Sequence, residues 1–163
     1  MLLILAQYVS VRAMAKEPQT SSQKPLATPL ADGYCFVCGK DNPRGLKIKV
    51  RYHEAELAAE TELALAKEFQ GWRQVIHGGL LATLLDELMA HAVWRFAGPG
   101  VTLSLEVRFH QPLKPGERIR VRGVLQPANS SRRLAEAEIF RLADGARIAS
   151  GKSRFLLLGQ ENE

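Results

Sequence analysis

Asp86 stands inside the long apolar run Leu80-Leu81-Ala82-Thr83-Leu84-Leu85-Asp86-Glu87-Leu88-Met89, where packing alone gives no reason for a carboxylate. Aspartate is also a poor former of helix interiors. Its neighbours four residues away on either side are Ala82 and Ala90, so the surface around it has room for a substrate or a second chain. A carboxylate in a sparse, partly buried place can act as general base on water or as nucleophile. Equally, it can be a solvated helix charge, and Glu87, one residue on, reads as an ordinary surface charge. Upstream, His77-Gly78-Gly79 opens the same run. Glycine lets a ligand approach the backbone closely, and the first N–H groups of a helix lack intrahelical partners at the positive end of the dipole. Together they suit a carbonyl oxygen that gains negative charge during acyl transfer. The same three residues also describe a plain tight turn into a helix.

The elements that would position these groups follow from periodicity. A helix is predicted from about His77 to Phe96, stopped by Gly98-Pro99-Gly100. At about 100° per residue, Leu80, Leu81, Leu84, Leu85, Leu88, Met89 and Ala92 share one broad apolar face. Thr83, Asp86, Glu87, Ala90 and Trp94 occupy the narrow remainder, so the helix is central and nearly surrounded. Alternation of period two predicts strands at Leu46–Tyr52, Leu57–Leu65, Val101–Phe109, around Arg118–Leu125, at Leu134–Leu142 and at Arg147–Leu158. Ala143-Asp144-Gly145 reads as a hairpin, and Pro112, Pro115-Gly116 and Pro127-Ala128-Asn129 as turns. The order is strand, strand, long buried helix, then four closely linked strands. This is an α+β fold, one antiparallel sheet wrapped around a long central helix. The folded domain is expected over residues 32–163. Residues 1–31, polar and proline-containing after a second plausible start at Met14, read as a disordered or mis-assigned tail.

A chain of 163 residues fits one domain, and its balance of 46% hydrophobic and 24% charged residues allows a core without a metal or disulfide scaffold. The net charge of +5 favours an anionic partner. Without a Lys/Arg block or an aromatic RNA-binding motif, a phosphate-bearing small molecule is preferred to nucleic acid. The apolar start, Met1 to Ala6, is too short to span a membrane, and two cysteines suggest a reducing, cytoplasmic setting. Cys35 and Cys38 invite a zinc reading, but a structural zinc takes four ligands. No second Cys pair exists; His53 and His77 could complete a set, but His77 is already claimed by the helix entry, so a reduced thiol pair with no metal is expected. Ser130-Ser131-Arg132-Arg133, at a turn between strands, suits phosphate binding because guanidinium groups offer several donors in a fixed fork; a solvated turn fits as well. Arg118, Arg120 and Arg122 read as a solvated outer strand face, and Trp72, Trp94 and Phe96 as core or interface.

His77-Gly78-Gly79 followed by Asp86 resembles the PaaI-type acyl-CoA thioesterases of the hotdog superfamily. So do Cys35-Phe36-Val37-Cys38-Gly39 with Asn42-Pro43 and Gly45-Leu46, and the stretch Val101 to Phe109 with Pro112 and Pro115-Gly116-Glu117. The likeness runs over about residues 34–158. It implies a hotdog fold and cofactor-free hydrolysis of acyl-CoA, by a homodimer or a dimer-of-dimers tetramer. The catalytic set it implies is Gly78, whose N–H polarises the thioester carbonyl, His77 shaping that pocket, Asp86 arriving from the partner subunit, and Thr102 positioning water or the carboxylate. Gly79, Gln70, Arg132 and Arg133 are the implied substrate contacts, the arginines for the CoA phosphates. Gly71 departs from the pattern, standing where several relatives carry Asn, with Gln70 beside it as the candidate replacement. A non-catalytic acyl-CoA-binding or regulatory hotdog module is the alternative; a hotdog hydratase would need a His–acid motif that this sequence lacks.

Overall fold

The computed structural model describes residues 32–127 and 132–158. The proposed tail, residues 1–31, and the Ser130-Ser131 half of the basic turn lie outside the described residues. Within them the chain runs β1 (Arg51–His53), β2 (Ala58–Ala64), β3 (Gln70–Trp72), β4 (Val75–Ile76), α1 (Gly78–Phe96), β5 (Gly100–Phe109), β6 (Arg118–Leu125), β7 (Arg132–Arg141) and β8 (Arg147–Leu157). Six strands form one antiparallel sheet in the order β1-β2-β6-β7-β8-β5, and β3 pairs with β4 in a small separate ribbon. The expected architecture, a single sheet wrapped on one helix, is the one observed.

The predicted apolar stripe is what buries the helix. Leu81, Leu84, Leu85, Leu88, Met89, Ala92 and Val93 are buried, while Leu80 is only half-buried. They face Ile119, Val121 and Leu125 of β6 and Ala135, Ala137 and Ile139 of β7 in one core. Gly123 permits this close approach. A Cβ there would lie 2.4 Å from the backbone carbonyl of Leu88, so any other residue in mid-β6 would push the helix off the sheet. On the outer face of β6, Arg118, Arg120 and Arg122 are not merely solvated. They pair with Glu62, Glu60 and Glu56 across the β2 boundary. Glu60 keeps its pKa below the ordinary value although burial works the other way, because Arg122 and Arg51 donate to it.

Two expectations need correction. Leu46–Val50 is not part of a strand; only Arg51–His53 joins the sheet. Lys47 adopts a left-handed φ of 52°, and the Leu46 and Ile48 N–H groups donate to Phe36 and Val37 carbonyls instead of a neighbouring strand. The alternation there reports Ile48 packing beneath a loop. In β5 the alternation does not separate a buried from a solvated face. Val101 is 44%, Leu103 51% and Leu105 38% exposed, and only Val107 packs against the core. β5 is the sheet's last strand, so an entire ladder edge and most of its side chains stand open on the single chain. Among the described residues no helix is long and apolar enough to cross a membrane.

Candidate active site

The helix opening is built by His77. Its backbone is extended (φ −61°, ψ 128°), its ring Nδ1 accepts the Gly79 N–H at 2.9 Å, and its carbonyl accepts from Leu80 at 3.0 Å. This is an N-cap in which imidazole does the work usually left to Ser or Asp. The cap consumes the Gly79 N–H, so among the described residues the Gly78 N–H alone of the first helical pair is without an acceptor. Gly71 supports the ring from below, since a Cβ at that position would sit 2.9 Å from His77 Cδ2. The Asn common in relatives would collide with the His77 ring as placed here. Gln70 is engaged locally, its Oε1 accepting the Gln74 N–H at 3.3 Å.

A cleft of about 530 Å³ opens beside the Gly78 N–H. Its lining includes Trp72, His77, Gly78, Phe109, His110 and Leu113. Trp72 is 84% exposed, not core, and Phe109 is 57% exposed. Sequence reasoning missed Phe109 and His110 as lining residues, because an apolar residue at a strand end carries no signal separating a cleft wall from core. Gly78 has a steric reason as well: a Cβ would press to 3.2 Å on the Phe109 ring.

Asp86 lies elsewhere on the same helix. It is half-buried, and its Oδ1 accepts a hydrogen bond from Thr102 Oγ1 of β5 at 3.0 Å. Burial raises its pKa above the ordinary carboxylate value; the Thr102 hydroxyl opposes the shift and the Glu87 charge adds to it. Asp86 and Thr102, separated by sixteen positions in sequence, are thus brought together. Gly78 and Asp86 are not: eight residues of helix (86 − 78), about 12 Å, lie between them. Arg132 and Arg133 open β7, opposite Leu156 and Phe155 of β8, and neither lines the helix-opening cleft. Trp94 is structural, donating its indole N–H to the Gly100 carbonyl at 2.8 Å.

Glu87 is not an ordinary surface charge. Its side chain is 16% exposed, accepts from the Cys35 thiol at 3.7 Å, and lies 3.2 Å from His91 Nε2. His53 and His77, the histidines considered as partners for the cysteines, are occupied elsewhere, His53 facing Glu60 and His77 capping the helix.

The thioesterase-superfamily sequence profile matches residues 73–147, from the turn before β4 to the start of β8. No protein of curated function matches the sequence. Solved structures do match in fold. Thioesterase superfamily member 2 of zebrafish is 24% identical over 68% of this chain and 81% of its own, with a TM-score of 0.63. The E. coli PaaI protein of the phenylacetic acid degradation operon is 18% identical over 72% of this chain and 84% of its own, at 0.65. A Streptococcus mutans protein determined bound to acetyl-CoA is 12% identical over 71% of this chain and 91% of its own, at 0.64. The thioesterase-superfamily profile is thus matched over residues 73–147, and the architecture of the described chain is the hotdog fold that these solved structures share.

Proposed function

We propose that the chain hydrolyses acyl-CoA thioesters to the free acid and CoA, at a site assembled from two subunits. The observation that carries this reading is the placement of Asp86. It is a half-buried helix carboxylate with a raised pKa and one hydroxyl partner, about 12 Å along the helix from the Gly78 N–H, which has no acceptor among the described residues. Reacting atoms must come within about 3–3.5 Å of each other. Asp86 and Gly78 of one chain therefore cannot serve one thioester, and a second copy must supply the complementary half. The open edge of β5, with Thr102 beside Asp86 and exposed Val101, Leu103 and Leu105, offers that copy a surface. A dimer or a dimer of dimers satisfies the geometry.

In this site the Gly78 N–H takes the thioester carbonyl oxygen, and the apolar cleft walled by Trp72 and Phe109 takes the acyl group. The partner's carboxylate removes a proton from water as the oxygen attacks the carbonyl carbon. The oxyanion collapses, the C–S bond breaks, and the carboxyl returns the proton to the leaving thiolate. A raised pKa suits both halves of that cycle. Direct attack by the carboxylate is the other route open to the same geometry. CoA as the thiol carrier is supported by the acetyl-CoA-bound relative, by the net charge of +5, and by Arg132 and Arg133 as candidate phosphate contacts. Two free thiols in the described chain suit a reducing cytoplasm, and no cofactor takes part in the reaction. Incubation with a panel of alkyl and aryl acyl-CoAs, following free thiol, is the test. Turnover of at least one class is expected. Binding of acyl-CoA without thiol release from any of them would favour a non-catalytic module.

A further inference from the structure

We propose that Cys35, Cys38, Glu87 and His91 form a structural zinc site that fastens the segment before β1 to the central helix. The three ligand atoms contributed by Cys35, Cys38 and Glu87 lie within 4.8 Å of one another; His91 stands outside that group and reaches it through Glu87. Zinc binds sulfur at about 2.3 Å and nitrogen or oxygen at about 2.0–2.1 Å in tetrahedral geometry. A tetrahedron with those bond lengths has edges of about 3.5 Å between S and O and about 3.3 Å between O and N. Here Cys35 Sγ stands 3.7 Å from Glu87 Oε1, and His91 Nε2 stands 3.2 Å from that same oxygen. Glu87 and His91 are one helical turn apart on α1, so the helix itself fixes their common direction. Two thiolates, a carboxylate and an imidazole are a donor set for zinc rather than for magnesium or calcium, which select oxygen.

The surrounding backbone is shaped for the same purpose. The Val37 N–H donates to Cys35 Sγ at 3.3 Å, an interaction that favours a sulfur carrying charge, and the Gly39 N–H closes the turn on the Cys35 carbonyl at 2.9 Å. A Cβ on Gly39 would lie 2.4 Å from the Cys35 nitrogen, so this Cys-x-x-Cys turn requires glycine after its second cysteine. On the far side, Tyr52 Oη lies 2.8 Å from His91 Nδ1. With the proton on Nδ1 and the hydroxyl accepting it, the Nε2 lone pair is left available to ligate beside Glu87, the usual outer-shell arrangement for a ligating histidine. The segment has a need for such an anchor. Residues 32–50 contain no helix or strand and bury only Val37 and Ile48 fully in the core, with Cys38, Leu46 and Val50 packed at its margin, and loops of this length inside a compact domain are uncommon without a special role. Three positions come from the gathered ligands, and His91, beside Glu87, moves in to complete the set when the metal binds, a closed and structural arrangement rather than a catalytic one.

The test uses the full-length, tag-free chain, grown with zinc and purified without chelators under a non-thiol reductant. Elemental analysis should find about one zinc per chain. The double variant C35S/C38S should hold less than about a tenth of that, and E87Q and H91Q should each release zinc to a chromogenic chelator at least 10-fold more readily. Should the cysteine variants fail to fold, the wild-type chain loaded with Co²⁺ decides alone. A tetrahedral dithiolate site gives intense visible bands and a sulfur-to-cobalt charge-transfer band. A chain that is metal-free and takes up no added zinc, a double Ser variant that retains zinc, or a cobalt spectrum without the sulfur band would each overturn the proposal.

Discussion

Asp86 and Glu87 are consecutive residues on one helix, both half-buried, yet the fold gives them different surroundings. Asp86 meets one hydroxyl from an open edge strand and is otherwise desolvated, so its pKa rises. Glu87, about 100° further round, meets two thiols and a histidine, so its surroundings satisfy its charge. A carboxylate left short of partners is poised to react, and one ringed with ligands is poised to hold something. Which of the two a helix carboxylate becomes is decided by the element packed over it, and here the two elements differ. Thr102 comes from β5, after the helix, and the cysteines from the loop before β1.

The largest effect should separate the pair outright. Asp86→Asn is expected to lower kcat by roughly 10²- to 10⁴-fold, the usual contribution of a general base, while its zinc content stays at the wild-type level. Glu87→Gln is expected to show the opposite signature, lost zinc. Thermal unfolding sharpens the contrast. Stripping zinc with a chelator should lower the midpoint of the wild-type chain by more than about 5 °C, since 2–4 °C corresponds to about 1 kcal/mol in a chain of this size. Asp86→Asn should leave the midpoint unchanged or raise it. The sign follows from linkage: a carboxyl whose folded pKa is raised stabilises the fold only while protonated, and that contribution is lost as pH rises through the folded value. At neutral pH the buried charge is a cost that Asn removes.

A subtler change should appear in the pH profile. The acid limb of kcat/KM is expected above the ordinary carboxylate range, because Asp86 must be ionised to accept a proton. The Thr102 hydroxyl opposes the shift, so Thr102→Val should move the limb to still higher pH; a limb that stays put would remove Thr102 from the site. The smallest effect concerns the CoA end. Replacing Arg132 and Arg133 together with Ala should raise KM for acyl-CoA several-fold while sparing a short pantetheine thioester, which has no nucleotide phosphates for the arginines to hold. Equal damage to both substrates would make the pair structural.

Much of this was legible in the residues. The apolar stripe from Leu80 to Ala92 defined the helix because its period matches a single buried face, though it overlooked the buried Val93, and the hairpin at Asp144-Gly145 appears with Gly145 at a positive φ of 70°. His77-Gly78-Gly79 and Asp86 stood out because a helix has no packing use for them. What escaped the sequence was long-range company. Glu87 looked like a surface charge because nothing local shows that Cys35, fifty-two positions earlier, folds onto it. The same gap hid the contact between His91 and Glu87, whereas His53 and His77 were visible only as histidines. Leu46–Val50 carried strand-like alternation, but that pattern also arises when an extended loop packs every second residue inward.

The shared site is the central claim, and subunit mixing tests it most directly. Gly78→Pro removes the N–H at the first helical position, which suits proline, and the extended His77 backbone before it is one that proline accepts, while the exposed Phe109 ring must give way slightly to the new Cβ. That chain and the Asp86→Asn chain should each be nearly inactive and, by circular dichroism, folded. Mixed in equal amounts and allowed to exchange, half of the dimers pair one chain of each kind, and each such dimer regains one intact site of two. About a quarter of wild-type activity should return. If both chains fold and exchange yet the mixture stays inactive, Gly78 and Asp86 do not meet across an interface, and the two-subunit site is wrong.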